Sequence, residues 1–340
     1  MCRGVDLKAA PKVDLHRHLE GAIRLGTLLD LYREHGQALA ETSEAELAPR
    51  AQVLEPMASL EDVLSRFTMA QGAFFDEATC ERIAFEAVED LAADNVRLAE
   101  LRFSPEFLCL PHGLDWDAAM AAIARGAERA SSEFDVTVGL IAIASRNYGL
   151  DSAERTAEFA WRHRDSLVAF DLAGDEQAYP PSLYVDVVAG LEGSGLHVTT
   201  HYGESGGAEF PREAVEALES ERLGHGVSVA EDPSVVALVR DRGVTLEMCP
   251  TSNRRTGAVS DLAEHPARRL LDQDVSVTIN TDNPGLFAID LTNELEVCVE
   301  RLGFSEDDLK RVTSNAIDAS FVDDDTRAGV RLRHFGWVDA

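Results

Sequence analysis

Lysine is nearly missing from this chain of 340 residues. It stands only at positions 8, 12 and 310, so 31 basic residues less three lysines leaves 28 arginines. Basic charge as a whole is scarce: 31 Lys and Arg face 61 Asp and Glu, a formal net charge of −30. A surface this negative repels phosphate backbones and argues against a nucleic-acid partner. It argues equally against an anionic membrane face. Long apolar runs are absent too. No stretch of about 18 apolar residues occurs, so no transmembrane helix is expected. The segment from Met1 to Lys12 lacks the basic-then-apolar order of a signal peptide. Cysteine is sparse: five, at 2, 80, 109, 249 and 298, widely spaced and without a CxxC pair. That pattern fits free thiols in a reducing cytoplasm. Repeats, low-complexity tracts and Ser/Pro linkers are missing as well. High Asp and Glu with almost no lysine is what a high-salt cytoplasm favours, because net charge keeps a protein soluble there. An acidic enzyme from an arginine-preferring genome would look similar.

What is present is core material. The chain is 45% hydrophobic, and its length suits one large α/β domain or two smaller ones. Short apolar runs rich in β-branched residues recur at 11–18, 96–104, 136–146, 167–174, 196–203, 222–227, 244–250 and 275–282. Helical patterns lie between most of them, over 77–93, 233–241 and 265–273. Alternating strands and helices imply parallel strands with crossovers. Eight such units predict an α/β fold, a (β/α)8 TIM barrel, built as a single domain over 1–340. Such barrels typically take about 250 residues. The surplus falls at 19–95, after the first strand, where extra helices are expected near 26–35, 60–74 and 77–93 around a polar stretch at 40–58. An insertion there lies on the catalytic face and suits a lid. A doubly wound open sheet is the alternative. It usually carries a Gly-rich turn after its first strand, and His16-Arg17-His18-Leu19-Glu20-Gly21 is no such turn.

Polar residues gather at the predicted strand ends. His16 and His18, two apart on a strand, point to the same face. Two imidazoles converging in a small cavity would repel if both were protonated, so a metal is the natural explanation. His201 ends the fifth predicted strand and Asp282 the eighth; each alone fits a packed histidine or a turn-forming aspartate. Together the four offer N and O donors suited to Zn²⁺ or a similar divalent ion, with a position left for water. A two-metal barrel of the kind bridged by a carboxylated lysine on strand four is excluded, because no lysine lies between Lys12 and Lys310. One metal per chain is the reading. Glu204, three residues beyond His201, is placed for proton transfer, and His225, between Gly224 and Gly226, faces the same cavity from the next strand.

Seven segments in order then resemble one family. They are His16-Arg17-His18-Leu19-Glu20-Gly21-Ala22, Glu100 to Pro105, Asp171 to Glu176, His201-Tyr202-Gly203-Glu204, Arg222 to Gly226, Cys249 to Asn253, and Asn280-Thr281-Asp282-Asn283-Pro284. The family is that of the adenosine deaminases, within the amidohydrolase superfamily. The resemblance implies one Zn²⁺ on His16, His18, His201 and Asp282. It implies Glu204 as proton donor to purine N1 and His225 as the group orienting the attacking hydroxide. Gly174 would meet purine N3, Asn283 N7, and Glu20 the ribose. The implied reaction is hydrolysis of adenosine, and of 2′-deoxyadenosine, to inosine and ammonia in purine salvage. Adenine or 6-aminodeoxyfutalosine are alternative substrates of the same chemistry, and a non-catalytic purine-binding protein is the remote alternative. The zinc deaminases with H-x-E and P-C-x-x-C are a different class, since Cys249-Pro250 has the wrong order and no second cysteine. Three positions depart from the usual pattern. Tyr202 replaces a small residue and is expected to point into the barrel–helix layer. Asn283 replaces an aspartate and can donate to N7 without being protonated. Glu20 stands where many members have Asp, which bears on the sugar side of the substrate.

Overall fold

Strands buried on both faces read as continuous apolar runs only when helices wall a parallel sheet. Each of the eight predicted runs is such a strand. The structure, a computed structural model, describes residues 5–339 apart from 38, 40, 42, 58–62 and 64. The strands are β1 (Lys12–His18), β2 (Val96–Phe103), β3 (Thr137–Ser145), β4 (Ala169–Ala173), β5 (His197–Tyr202), β6 (Arg222–His225), β7 (Thr245–Met248) and β8 (Ser276–Ile279). They pair in sequence order, all parallel. Beyond the end of β8 the ring closes on β1. Arg17 and Asp282 form a parallel bridge, the Asp282 N–H donates to the His16 carbonyl at 2.8 Å, and the His18 N–H donates to the Asp282 carbonyl at 2.8 Å. The fold is therefore the (β/α)8 TIM barrel, and that closure rules out the open doubly wound sheet.

The barrel interior is charged rather than apolar at mid-height. Arg102 donates to Asp171 at 2.9 Å and to Glu247 at 2.8 Å, while Arg222 pairs with Glu100 and, through Nε, with Glu247 at 2.7 Å. All five side chains are buried, and each charge meets an opposite one, the condition on which buried ions are tolerated. This lattice is the floor under the strand ends.

Outside the barrel the helix Glu77–Ala93 matches its predicted span. A reciprocal capping box between Asp76 and Thr79 starts it, and Ile83, Ala84, Ala87, Val88 and Leu91 form its buried face. It packs on the helix Trp116–Phe134 at Gly126, where a Cβ would lie 2.2 Å from the Glu81 carbonyl oxygen. The insertion after β1 also holds helices Leu25–Glu34, Glu44–Ala51 and Phe67–Gly72. The stretch expected as merely polar over 40–58 thus contains a helix, started by Ser43, whose hydroxyl accepts from the Glu46 N–H. Of the helix expected at 60–74, residues 60–62 and 64 lie outside the described residues. Val53, Val63, Leu286 and Phe287 form a small buried cluster, with Met57 and Phe67 against it, that joins the insertion to the loop after β8.

Candidate metal and active site

Alternation along β1 buries His16 and His18 on the cavity side, with Arg17 between them turned away toward Asp14, 3.8 Å distant. The ends of β5, β6 and β8 add His201, His225 and Asp282. Two of these are held in the left-handed backbone region, His225 at φ 64° and Asp282 at φ 60°. Non-glycine residues persist there only when their surroundings over-determine them, and such residues cluster at functional sites. Gly224 leaves the room the imidazoles need: a Cβ on it would sit 3.0 Å from His16 Cε1 and 3.1 Å from His201 Cγ.

The nitrogens converge. His18 Nε2 lies 3.1 Å from His201 Nε2 and 3.3 Å from Asp282 Oδ1, and His16 Nε2 lies 3.5 Å from Asp282 Oδ1. The far side of each ring shows which nitrogen carries the proton. His16 Nδ1 donates to Glu247 Oε2 at 2.7 Å, and His201 Nδ1 donates to Asp171 Oδ1 at 3.1 Å. A carboxylate only accepts, so Nδ1 carries a proton on both rings, and each ring in its neutral form presents the Nε2 lone pair inward. Among the described residues His16 Nε2, fully buried, has no hydrogen-bond partner. Burial holds His18 and His201 well below the ordinary histidine range, so they stay neutral. Burial opposes ionisation of Asp282, but the close approach of His16, 3.5 Å away, and of the neighbouring histidines outweighs it and keeps the carboxyl below its usual range. Its Oδ2 accepts from the Ser252 hydroxyl at 2.6 Å. Facing lone pairs of this kind repel unless a cation lies among them, and three imidazoles with one carboxylate are the donor set of a divalent zinc-like ion. The carboxylates on the far ring nitrogens complete the carboxylate–histidine pattern of such sites.

Above the nitrogens opens a cavity of about 310 Å³, lined by His18, Glu20, Gly174, His201, Glu204, His225, Asp282 and Asn283, and walled by Val63, Phe67, Phe107 and Phe287. Burial, reinforced by the charges of Asp282 and Glu176, pushes the Glu204 carboxyl up to about 8. Its Oε2 stands 3.6 Å from His225 Nε2. Glu20 is likewise raised, to about 7, by burial; its Oε1 accepts from the Ser104 N–H at 2.7 Å while its Oε2 has no partner among the described residues. A larger groove of about 540 Å³ crosses the opposite end of the barrel and holds none of these groups.

The model of the adenosine deaminase family matches residues 11–333. The adenosine deaminase of Erwinia tasmaniensis is 36% identical over 323 residues, 95% of this chain and 97% of that protein. The chain belongs to the adenosine deaminase family. It is a hydrolase of the deaminase kind. Among solved structures it resembles an adenine deaminase from Arthrobacter aurescens, 27% identical with a TM-score of 0.90, covering 98% of this chain and 100% of that one. An amidohydrolase from Burkholderia ambifaria with bound Zn is also 27% identical, with a TM-score of 0.87, covering 99% of this chain and 95% of that one.

In this member of the family the structure brings His18, His201, Asp282, Glu204, His225, Glu20, Gly174 and Asn283 to one cavity, with His16 just beneath it. Asn283 donates through Nδ2 to Asp282 Oδ1 at 2.6 Å. Tyr202 points into the barrel–helix layer as expected: its hydroxyl donates to the Tyr179 carbonyl at 3.3 Å, and the Arg146 guanidinium lies 4.1 Å over its ring. Several supporting residues escaped the sequence reading. Glu247 holds His16 and Asp171 holds His201, Arg102 pairs with both of these carboxylates, and Ser252 holds Asp282. Glu176 accepts from the N–H groups of Gly203 at 2.6 Å, Ser205, and Gly206 at 2.8 Å, and so shapes the loop that carries Glu204. Three of the motif segments contain these residues, but which ring nitrogen each would meet depends on pairing between strands far apart in sequence. Glu247 lies in none of the seven segments and left no signal of its own.

Proposed function

We propose that this protein hydrolyses adenosine, and with it 2′-deoxyadenosine, to inosine and ammonia, with one Zn²⁺ held by His16, His18, His201 and Asp282. The observation that carries the reading is a buried carboxyl, Glu204, whose protonated form burial favours, 3.6 Å from His225 in the same cavity as the histidine–aspartate donor set. Zinc supplies, when bound, a water acidic enough to be nucleophilic at neutral pH. The residues do the rest. Attack at purine C6 pushes electrons onto the ring, and Glu204 places its proton on N1 to receive them. Asp282 Oδ1, which faces the same space, takes the proton that the water gives up. Asn283 and Gly174 orient the ring through N7 and N3. The proton taken by Asp282 passes to the C6 amino group, the C6 hydroxyl returns a proton to Glu204, and collapse at C6 releases ammonia.

Charge in the cavity supports a nucleoside. Among the described residues no lysine or arginine lines it, so a phosphate would have no counter-ion there. The partnerless Oε2 of Glu20 leaves an acceptor in the cavity wall that a ribose hydroxyl would fill. The whole chain, 1–340, works in this proposal as one catalytic domain, with 19–95 as the cover that brings Val63 and Phe67 over the substrate. Cys80, Cys109, Cys249 and Cys298 are free and buried, which supports a cytoplasmic enzyme of purine salvage. No helix among the described residues is long and apolar enough to cross a membrane. The test is a panel of adenosine, 2′-deoxyadenosine, adenine, 6-aminodeoxyfutalosine and AMP with the zinc-loaded protein, followed by loss of the adenine absorbance. Adenosine should show the highest kcat/KM and AMP the lowest of the nucleosides and nucleotides. Faster turnover of adenine or 6-aminodeoxyfutalosine would replace the substrate, and ammonia release from none of them would remove the reading.

A further inference from the structure

We infer that His265 and Asn253 form a hydrogen-bond relay that fixes the tautomer of His225, keeping its proton on Nε2 and turned to the cavity. The relay starts at a backbone amide. The Ala267 N–H donates to His265 Nδ1 at 3.2 Å. An amide N–H can only donate, so Nδ1 carries a lone pair and the ring proton sits on Nε2. A doubly protonated His265 would set two donors against each other at this contact. His265 Nε2 therefore donates to Asn253 Oδ1, 3.1 Å away. That contact settles the orientation of the amide: its oxygen faces His265 and its NH₂ faces His225. Asn253 Nδ2 then donates to His225 Nδ1 at 3.0 Å. His225 Nδ1 is an acceptor, so the remaining proton of the neutral ring lies on Nε2, which stands 3.6 Å from Glu204 Oε2. His265, Asn253 and His225 are 4%, 0% and 2% exposed, so water does not compete for these positions.

The relay decides between two readings of the histidine cluster. His16, His201 and His225 could together hold a metal, as could His16, His18 and Asp282. A nitrogen that bears a proton cannot ligate or accept one. His225 is then a hydrogen-bond donor to the attacking oxygen, and neither a ligand nor the base. His265 and Asn253 are positioning residues. They touch no substrate and act only through His225.

The inference rests on the deaminase reading for its effect on turnover but not for the tautomer. The full zinc-loaded chain, labelled with ¹⁵N-histidine, is examined by long-range ¹H–¹⁵N correlation, with His225 assigned from the H225N variant. The expected pattern is an unprotonated Nδ1 and a protonated Nε2 on both His225 and His265. Asn253→Asp replaces the NH₂ by a second acceptor, so it should move the His225 proton to Nδ1. With zinc content retained, kcat should then fall at least about tenfold while KM changes far less. H265A should loosen the pattern, and His265→Gln, whose amide N–H takes the place of the Nε2 proton, should restore it. A wild-type His225 protonated on Nδ1 overturns the relay, as does an Asn253→Asp spectrum identical to the wild type. The wild-type spectrum decides the tautomer even if a variant does not fold. Turnover with the wrong tautomer defeats the relay and leaves the deaminase; the right tautomer with no purine turned over does the reverse.

Discussion

At the scale of single residues the site works by setting neighbouring carboxyls to opposite protonation states. Asp282 and Glu204 share one cavity. The first is surrounded by imidazoles and stays ionised; the second meets an aspartate, a glutamate and apolar walls, and is raised to about 8. Environments that push two carboxyls apart suit them to opposite roles, in the proposed reaction one as ligand and base and one as acid. Glu204→Gln keeps the shape and removes the proton. It should lower kcat by at least about a hundredfold while the zinc content, read by atomic emission, stays near one per chain. The pH dependence follows from the sign of the shift. In the proposed mechanism Glu204 acts in its protonated form, so kcat/KM should fall as pH rises through its value. A bound cation draws that value down again, which places the limb below about 8. The same limb should vanish from the residual activity of Glu204→Gln. An unaltered limb in the variant would give the titration to another group.

The elements show what the sequence could and could not declare. Every strand was legible as a short run with apolar residues, nearly uninterrupted in β3, Thr137–Ser145, and alternating with charged ones in β1 and β2. The helix Glu77–Ala93 was legible for a different reason: apolar residues recur on one face behind an Asp cap. The helix Glu44–Ala51 was hidden by Pro49 and by having only Leu47 and Ala51 buried. Ligand candidates were visible because strand ends are few and histidines rare, whereas Glu247 reads like any charged residue until β7 is laid beside β6 and β8. A tight contact between two helices, at Gly126, also left no trace in composition. Its variant Gly126→Ala makes the balance of effects measurable. Helix propensity alone favours alanine by about 1 kcal/mol. The new Cβ, however, would sit 2.2 Å from a backbone carbonyl oxygen that cannot rotate away, so the two helices must separate. Overpacking of this kind costs about 1–3 kcal/mol, which outweighs the propensity gain. The variant should lose stability in urea unfolding while kcat and KM stay close to wild type, since the contact lies in the outer helical layer. A stabilised Gly126→Ala would show that the helices have room to spare.

On the scale of the whole molecule the charge of −30 and the chemistry of the cavity are separate matters, and salt distinguishes them. Arginines on the surface are largely engaged: Arg24 with Glu89 and Asp90, Arg331 with Asp318 and Asp339, Arg268 with Asp272 and Asp308. With 61 acidic residues against 31 basic ones, most of the remaining carboxylates repel one another. Such self-repulsion destabilises a compact state and is screened by ions, with a Debye length of about 10 Å at 0.1 M and about 3 Å at 1 M. The melting temperature should therefore rise with KCl, most steeply over the first few tenths molar. Catalysis should respond differently. A neutral nucleoside feels little of this field, so kcat/KM for adenosine, measured well below the melting temperature, should be nearly flat over the same range. An anionic substrate approaching so negative a molecule would instead gain strongly in kcat/KM as salt screened the repulsion. A steep salt dependence of kcat/KM for adenosine would mean that charge reaches the reaction itself. A melting temperature that fell with KCl would show that specific ion pairs, rather than the surplus of carboxylates, govern the stability of the fold.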